Sequence, residues 1–230
     1  MPAFISTPDA AQGFGFKVLW FAVKTFDPAL VIDALGLGEA TPANWATGLK
    51  AAHEHGASPS QDAWAFVSPP IEGWVLAVSA RWAYPVAIDA NRDIGRRFDL
   101  LFSRLMRRFD DVQFFGSHRG AGFVTWARAL KGEPQRIFGF ADSEVLANLG
   151  EQTPEEAKLG FADLSGLSPA EAADRMFDLA ESEDAEGAIP DEMQVVELAA
   201  RWSLDPAGLE TLDYPFSAGL AVRIPKDLTQ

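Results

Sequence analysis

DVQFFGSHRGAGFVTWAR, residues 111–128, sets two apolar runs on either side of the hexapeptide SHRGAG. How that hexapeptide is read decides the fold. A phosphate-gripping loop needs glycines that lead into a helix whose N-terminus faces the anion. Gly120 and Gly122 lead instead into Phe-Val-Thr-Trp, a β-branched and aromatic sequence that favours a strand. No GKS or GKT occurs in the chain, and GFGF at 13–16 precedes the first strand candidate where a nucleotide loop would follow it. SHRGAG is therefore read as a turn. Strands are expected at 112–116 and 120–130, and PQRIFGF (134–140) adds a third after a Lys131-Gly132 turn.

Outward from this hairpin the pattern stays mixed. KVLWFAVK (17–24) is a strongly apolar run with charged ends and reads as a buried strand. Asp27-Pro28 starts a helix, carrying Leu30, Val31, Ala34 and Leu35 and stopped by Gly36 or Gly38. Thr41-Pro42 reads as a second start, with Trp45, Leu49 and Ala52 on one face, and HEHGASPSQ (53–61) as a loop. AWAFVS (63–68) and WVLAVS (74–79) form a hairpin or meander around PPIEG, and its two prolines place the connection at the sheet margin. Between Asn91 and Asp110, Ile94, Phe98, Leu101, Leu105 and Phe109 make one apolar helical stripe. Its other faces carry Arg92, Arg96, Arg97, Arg104, Arg107 and Arg108, expected to face the acidic C-terminal third.

Beyond residue 150 the texture becomes helical. Thr153-Pro154-Glu155-Glu156 and Ser168-Pro169-Ala170-Glu171 both combine a capping residue, Pro and an early acid. A third helix is expected at about 191–203, and AGLAVRI (218–224) as a final strand. Hairpins with grouped rather than alternating helices predict an α+β fold: a mixed, largely antiparallel sheet with helices packed on it and an acidic helical C-terminal third. Residues 1–230 are read as a single domain, sheet-rich over 1–150 and helix-rich over 151–230.

Charge and composition narrow the function. Residues 142–213 hold 19 acidic side chains and only Lys158, Arg175 and Arg201, a net −16, while the rest of the chain balances 14 acidic against 16 basic residues. Such a segment repels nucleic acid and anionic lipid and attracts cationic partners. With no cysteine, the chain has no disulfide, thiolate nucleophile or iron–sulfur cluster, and the cytoplasm is the expected compartment. No apolar run approaches the roughly 18 residues of a membrane span. Lys17 is the first basic residue, so no secretory leader is expected.

Motifs for chemistry are sparse. His53-Glu54-His55 lies in a loop with no HExxH helix, so neither a metal site nor a cofactor is expected. No G-x-S-x-G elbow occurs, and ESEDAEGAIPDE (181–192) is out of register for an EF-hand, leaving an exposed acidic loop. Two readings remain open, and enzymatic activity is the less favoured. One is a protein-binding module using Glu181, Glu183, Asp184, Glu186, Asp191 and Glu192 to meet a basic protein such as a toxin, as an immunity protein would. The other is an enzyme or small-anion-binding protein with a pocket around His118 and Arg119, completed by Trp126 and Arg136. The seven tryptophans fall mostly inside apolar runs, which assigns them to the core. Oligomeric state is not fixed by the sequence.

VSPPIEGWVLAVS (67–79), DVQFFGSHRGAGFVTWARA (111–129) and VVELAARWSLDP (195–206) resemble a family of uncharacterised bacterial proteins with no assigned activity. The resemblance covers most of the chain and implies a soluble bacterial protein. Members of that family carry a bulkier polar and aromatic sequence after the His-Arg, where Gly120-Ala121-Gly122 stands here.

Overall fold

The computed structural model describes residues 2–54, 62–87, 93–181 and 189–230. Among these residues fifteen helices and strands follow one another: β1 (Val18–Lys24), α1 (Pro28–Leu35), β2 (Ala40–Asn44), α2 (Trp45–His53), β3 (Ala63–Val67), β4 (Trp74–Ser79), α3 (Asp93–Met106) and β5 (Asp111–His118) come first. The chain continues with β6 (Phe123–Leu130), β7 (Glu133–Ala141), β8 (Glu144–Leu149), α4 (Pro154–Lys158), α5 (Pro169–Ala180), α6 (Glu192–Trp202) and β9 (Ala218–Ile224). The strands join in one sheet of order β2-β9-β3-β4-β1-β5-β6-β7-β8. The α+β class is as expected, and the sheet, anticipated as mixed and largely antiparallel, is antiparallel at all eight strand pairs among the described residues. The connections explain it. β5 to β8 is a meander of tight hairpins and β3–β4 is another, so no helical crossover joins parallel neighbours.

Both faces of the sheet are covered, which is why its central strands read as continuous apolar runs. Every residue of β1 except Lys24 is buried. On one face α1 and α3 pack Val31, Leu35, Phe98, Leu101 and Leu105 against Phe21 and Phe114. On the other, α2, α5 and α6 pack Trp45, Leu49, Met176, Leu198 and Trp202 against Trp20, Phe115 and Trp126. All seven tryptophans are buried, as their settings predicted.

The caps show what the local sequence specifies. Asp27 accepts from Ala29 N and Leu30 N at the start of α1, and Gly36 ends that helix in the left-handed region. Thr153, Ser168 and Asp191 each form a reciprocal capping box with the residue three positions on. Thr41-Pro42 departs from its expected role as a helix start. It lies in β2, an edge strand, where a missing proline N–H loses no ladder bond. The helix begins later, at Trp45, because Asn44 accepts from Thr47 N at 3.1 Å and the Asp9 carboxylate accepts from Trp45 N at 2.8 Å. His53 is the last residue of α2 rather than loop, its Nδ1 2.8 Å from the Leu49 carbonyl; His55 and the rest of that loop to 61 lie outside the described residues.

The arginine helix also differs from expectation. α3 lies on the face opposite α5 and α6, so its arginines do not meet the C-terminal carboxylates. Arg104 donates to the Leu35 carbonyl at the C-terminus of α1, Arg97 donates to the Thr229 carbonyl, and Arg108 pairs with Asp33. Arg92 lies outside the described residues.

Candidate functional site

The SHRGAG turn is a single 3-10 turn over Arg119–Ala121 joining β5 to β6, as its glycines predicted. Phe115 faces Trp126 and His118 faces Phe123 across the hairpin. Side chains alternate along a strand, so this register sorts the expected pocket residues onto different sides. Phe115 and Trp126 point to the α5/α6 face, and Phe114 and Phe123 to the α1/α3 face. The four candidates His118, Arg119, Trp126 and Arg136 therefore do not form one pocket.

Trp126 and Arg136 belong to a buried structural network. The Trp126 indole N–H donates to Glu156 Oε1 at 2.8 Å, and Arg136 Nε donates to the same oxygen at 2.9 Å. Arg136 Nη1 also donates to Asn148 Oδ1 at 2.7 Å and to the Leu149 carbonyl at 3.2 Å. Asn148 Nδ2 in turn donates to the carbonyls of Leu164 and Leu167, at 2.8 and 2.9 Å. Glu156 Oε2 completes the capping box by accepting from Thr153 N at 2.8 Å. The Arg136 and Glu156 side chains are only 2% and 1% exposed, and the void beside them holds about 10 Å³, no room for a ligand. This network ties β6, β7 and β8 to α4. It is architecture.

His118 and Arg119 line separate cavities. His118 ends β5 and lines a cavity of about 340 Å³ together with Lys17, Leu19, Tyr84, Phe123 and Asp142. Arg119 lines a neighbouring one of about 480 Å³ with Phe140, Ile189, Glu192 and Met193. The Arg119 guanidinium, 81% exposed, stands 3.8 Å from Glu192 Oε1, a contact worth about 0–1 kcal/mol at such exposure.

The acidic candidates are also divided. Asp191 is the N-cap of α6, accepting from Gln194 N at 2.9 Å, and Glu192 is turned toward Arg119. Glu181 is exposed at the C-cap of α5, while Glu183, Asp184 and Glu186 lie outside the described residues. Sequence reading does not single out the rest of α5's outer face. Glu171, Asp174, Asp178 and Glu181, spaced by 3, 4 and 3, are all exposed on one stripe. Phe177 lies beside them, 60% exposed. The Ser168 hydroxyl and backbone N–H both donate to Glu171 and hold its carboxyl below the usual glutamate range, so the stripe's first charge persists into mild acid. The 3, 4, 3 spacing was the available signal. Among the described residues no three His, Asp or Glu side chains are grouped to hold a metal, and no helix is long and apolar enough to cross a membrane. Set against family models, curated proteins and solved structures, the chain matches none.

Proposed function

We propose that the chain is a protein-binding module that receives a cationic partner on the outer face of α5, in the manner of a cytoplasmic immunity protein that neutralises a basic toxin. The supporting observation is one exposed aromatic ring, Phe177, set among four exposed carboxylates on a single helix face. An aromatic anchor inside a charged rim is the composition of a recognition surface. The stripe belongs to the 142–213 segment with its net −16, and the acidic helical layer so formed is the recognition face. The arginines of α3 lie behind the sheet and bond to Asp33 and to carbonyls of Leu35 and Thr229, so they leave those charges available.

The two kinds of residue have different tasks. Carboxylates at the rim steer a cationic partner and set the association rate, which falls as salt screens them. Phe177 contributes apolar burial, about 1.5–3 kcal/mol when fully covered, and slows dissociation. The same field disfavours nucleic acid and anionic membranes.

The test begins with the immobilised protein and a lysate of the bacterium that encodes it. A basic protein is expected to be retained at moderate salt and, once purified, to associate more slowly as salt rises. The triple reversal Asp174→Lys, Asp178→Lys, Glu181→Lys is expected to lower its association rate at least about tenfold. Glu171 is left intact because it completes the α5 cap. Phe177→Ala is expected to raise the dissociation rate instead. Retention of no basic protein, or unchanged association by the triple variant, overturns the reading.

A further inference from the structure

The cavity that contains His118 has a construction of its own. It lies where five adjacent strands end together: Lys17 precedes β1, Ala80 follows β4, His118 closes β5, Phe123 opens β6 and Ala141 closes β7. Its floor is apolar, with Leu19 and Phe123 buried and the Tyr84 ring edge-on to Phe123 at 4.8 Å between centroids. Two opposite charges stand on its wall, Lys17 and Asp142. They do not meet, and among the described residues neither enters an ion pair.

Both charged residues occupy left-handed backbone, Lys17 at φ 54° and Asp142 at φ 48°. For Asp142 the hairpin turn with Ser143, at φ 69°, accounts for the conformation. Lys17 lies in the bend that leads from Gly15 into β1. A lysine there is strained where glycine would not be. At about 340 Å³ the cavity is at the small end of the range that small-molecule sites occupy, about 300–1,000 Å³.

We infer that this cavity binds a small zwitterion of the α-amino-acid class with an apolar side chain. Its carboxylate meets the Lys17 ammonium, its ammonium meets the Asp142 carboxylate, and its side chain lies on Leu19, Tyr84 and Phe123. A zwitterion engages both of these exposed charges at once, whereas a ligand with one charge engages only one of them. This site is separate from the α5 face and does not depend on the partner-binding reading.

The experiment uses the full chain and three probes of one shape: L-phenylalanine, 3-phenylpropionate without the ammonium, and phenethylamine without the carboxylate. L-Phenylalanine is expected to bind saturably, shifting the backbone amide resonances of Leu19, His118 and Phe123, with each one-charge probe at least about tenfold weaker. Lys17→Gly is expected to erase the preference over phenethylamine, and Asp142→Asn the preference over 3-phenylpropionate. Gly and Asn both tolerate left-handed backbone, so each variant keeps or raises the melting temperature. No saturable L-phenylalanine binding, equal affinity for the three probes, or preferences that survive both substitutions overturns the proposal. The probe series on the unaltered protein decides the matter even where a variant folds poorly.

Discussion

Glu156→Ala is expected to lower the free energy of unfolding by about 3–5 kcal/mol, a large share of the roughly 5–15 kcal/mol that holds a folded domain. One carboxylate oxygen accepts from both Trp126 and Arg136, and the other accepts from the Thr153 N–H. Removing it leaves the Arg136 guanidinium, 2% exposed, as a buried charge without its counter-ion. The remaining acceptors, Asn148 and the Leu149 and Gly150 carbonyls, are neutral. The control is the double variant Arg136→Met, Glu156→Met, which leaves neither charge and is expected to lose less than Arg136→Met and Glu156→Met made singly and summed. Urea unfolding followed by tryptophan fluorescence reads both. Single losses below about 1 kcal/mol, or strictly additive ones, would show the pair to be uncoupled.

The second large effect is expected at Gly150, immediately after β8. It has φ +84°, and an added Cβ would stand inside the van der Waals envelope of the Gln135 carbonyl oxygen. Gly150→Ala combines left-handed strain with a backbone-to-backbone clash that no side-chain rotation relieves, and is expected to cost more than about 2 kcal/mol. Gly160 separates the two contributions. Its φ is +79° but nothing lies within 4 Å of a Cβ there, so Gly160→Ala is expected to cost only the strain, about 1 kcal/mol. Equal losses at the two positions would remove the clash from the explanation.

What the sequence discloses follows the range over which each feature is decided. The SHRGAG turn, the α1 start at Asp27-Pro28 and the capping boxes at Thr153 and Ser168 are settled by neighbours within four residues, and these were legible. The α2 start was misplaced because the Asp9 carboxylate, far upstream, helps to fix it at Trp45 and Ala46. β8 was missed because its turn uses Asp142-Ser143, both at positive φ, with no glycine to announce it. The site residues depend on register. Trp126 and Arg136 read as completing a pocket around His118 and Arg119, yet Glu156, on a helix outside the meander, takes both into the interior. Lys17, Tyr84 and Asp142 converge only because β1, β5, β6 and β7 end on one side, and no local pattern encodes that convergence.

The place of β9 has a consequence for biosynthesis. It lies between β2 and β3, so both wait for residues 218–224 before gaining that neighbour. As the polypeptide leaves the ribosome, the β5–β8 meander has all its pairing partners in hand early. β2 and β3 do not, and the AWAFV ribbon at 63–67 keeps a bare, wholly apolar margin through most of translation. Of the strands described, β9 is the last to be synthesised. Until β9 is made, that margin is open to pairing with another chain.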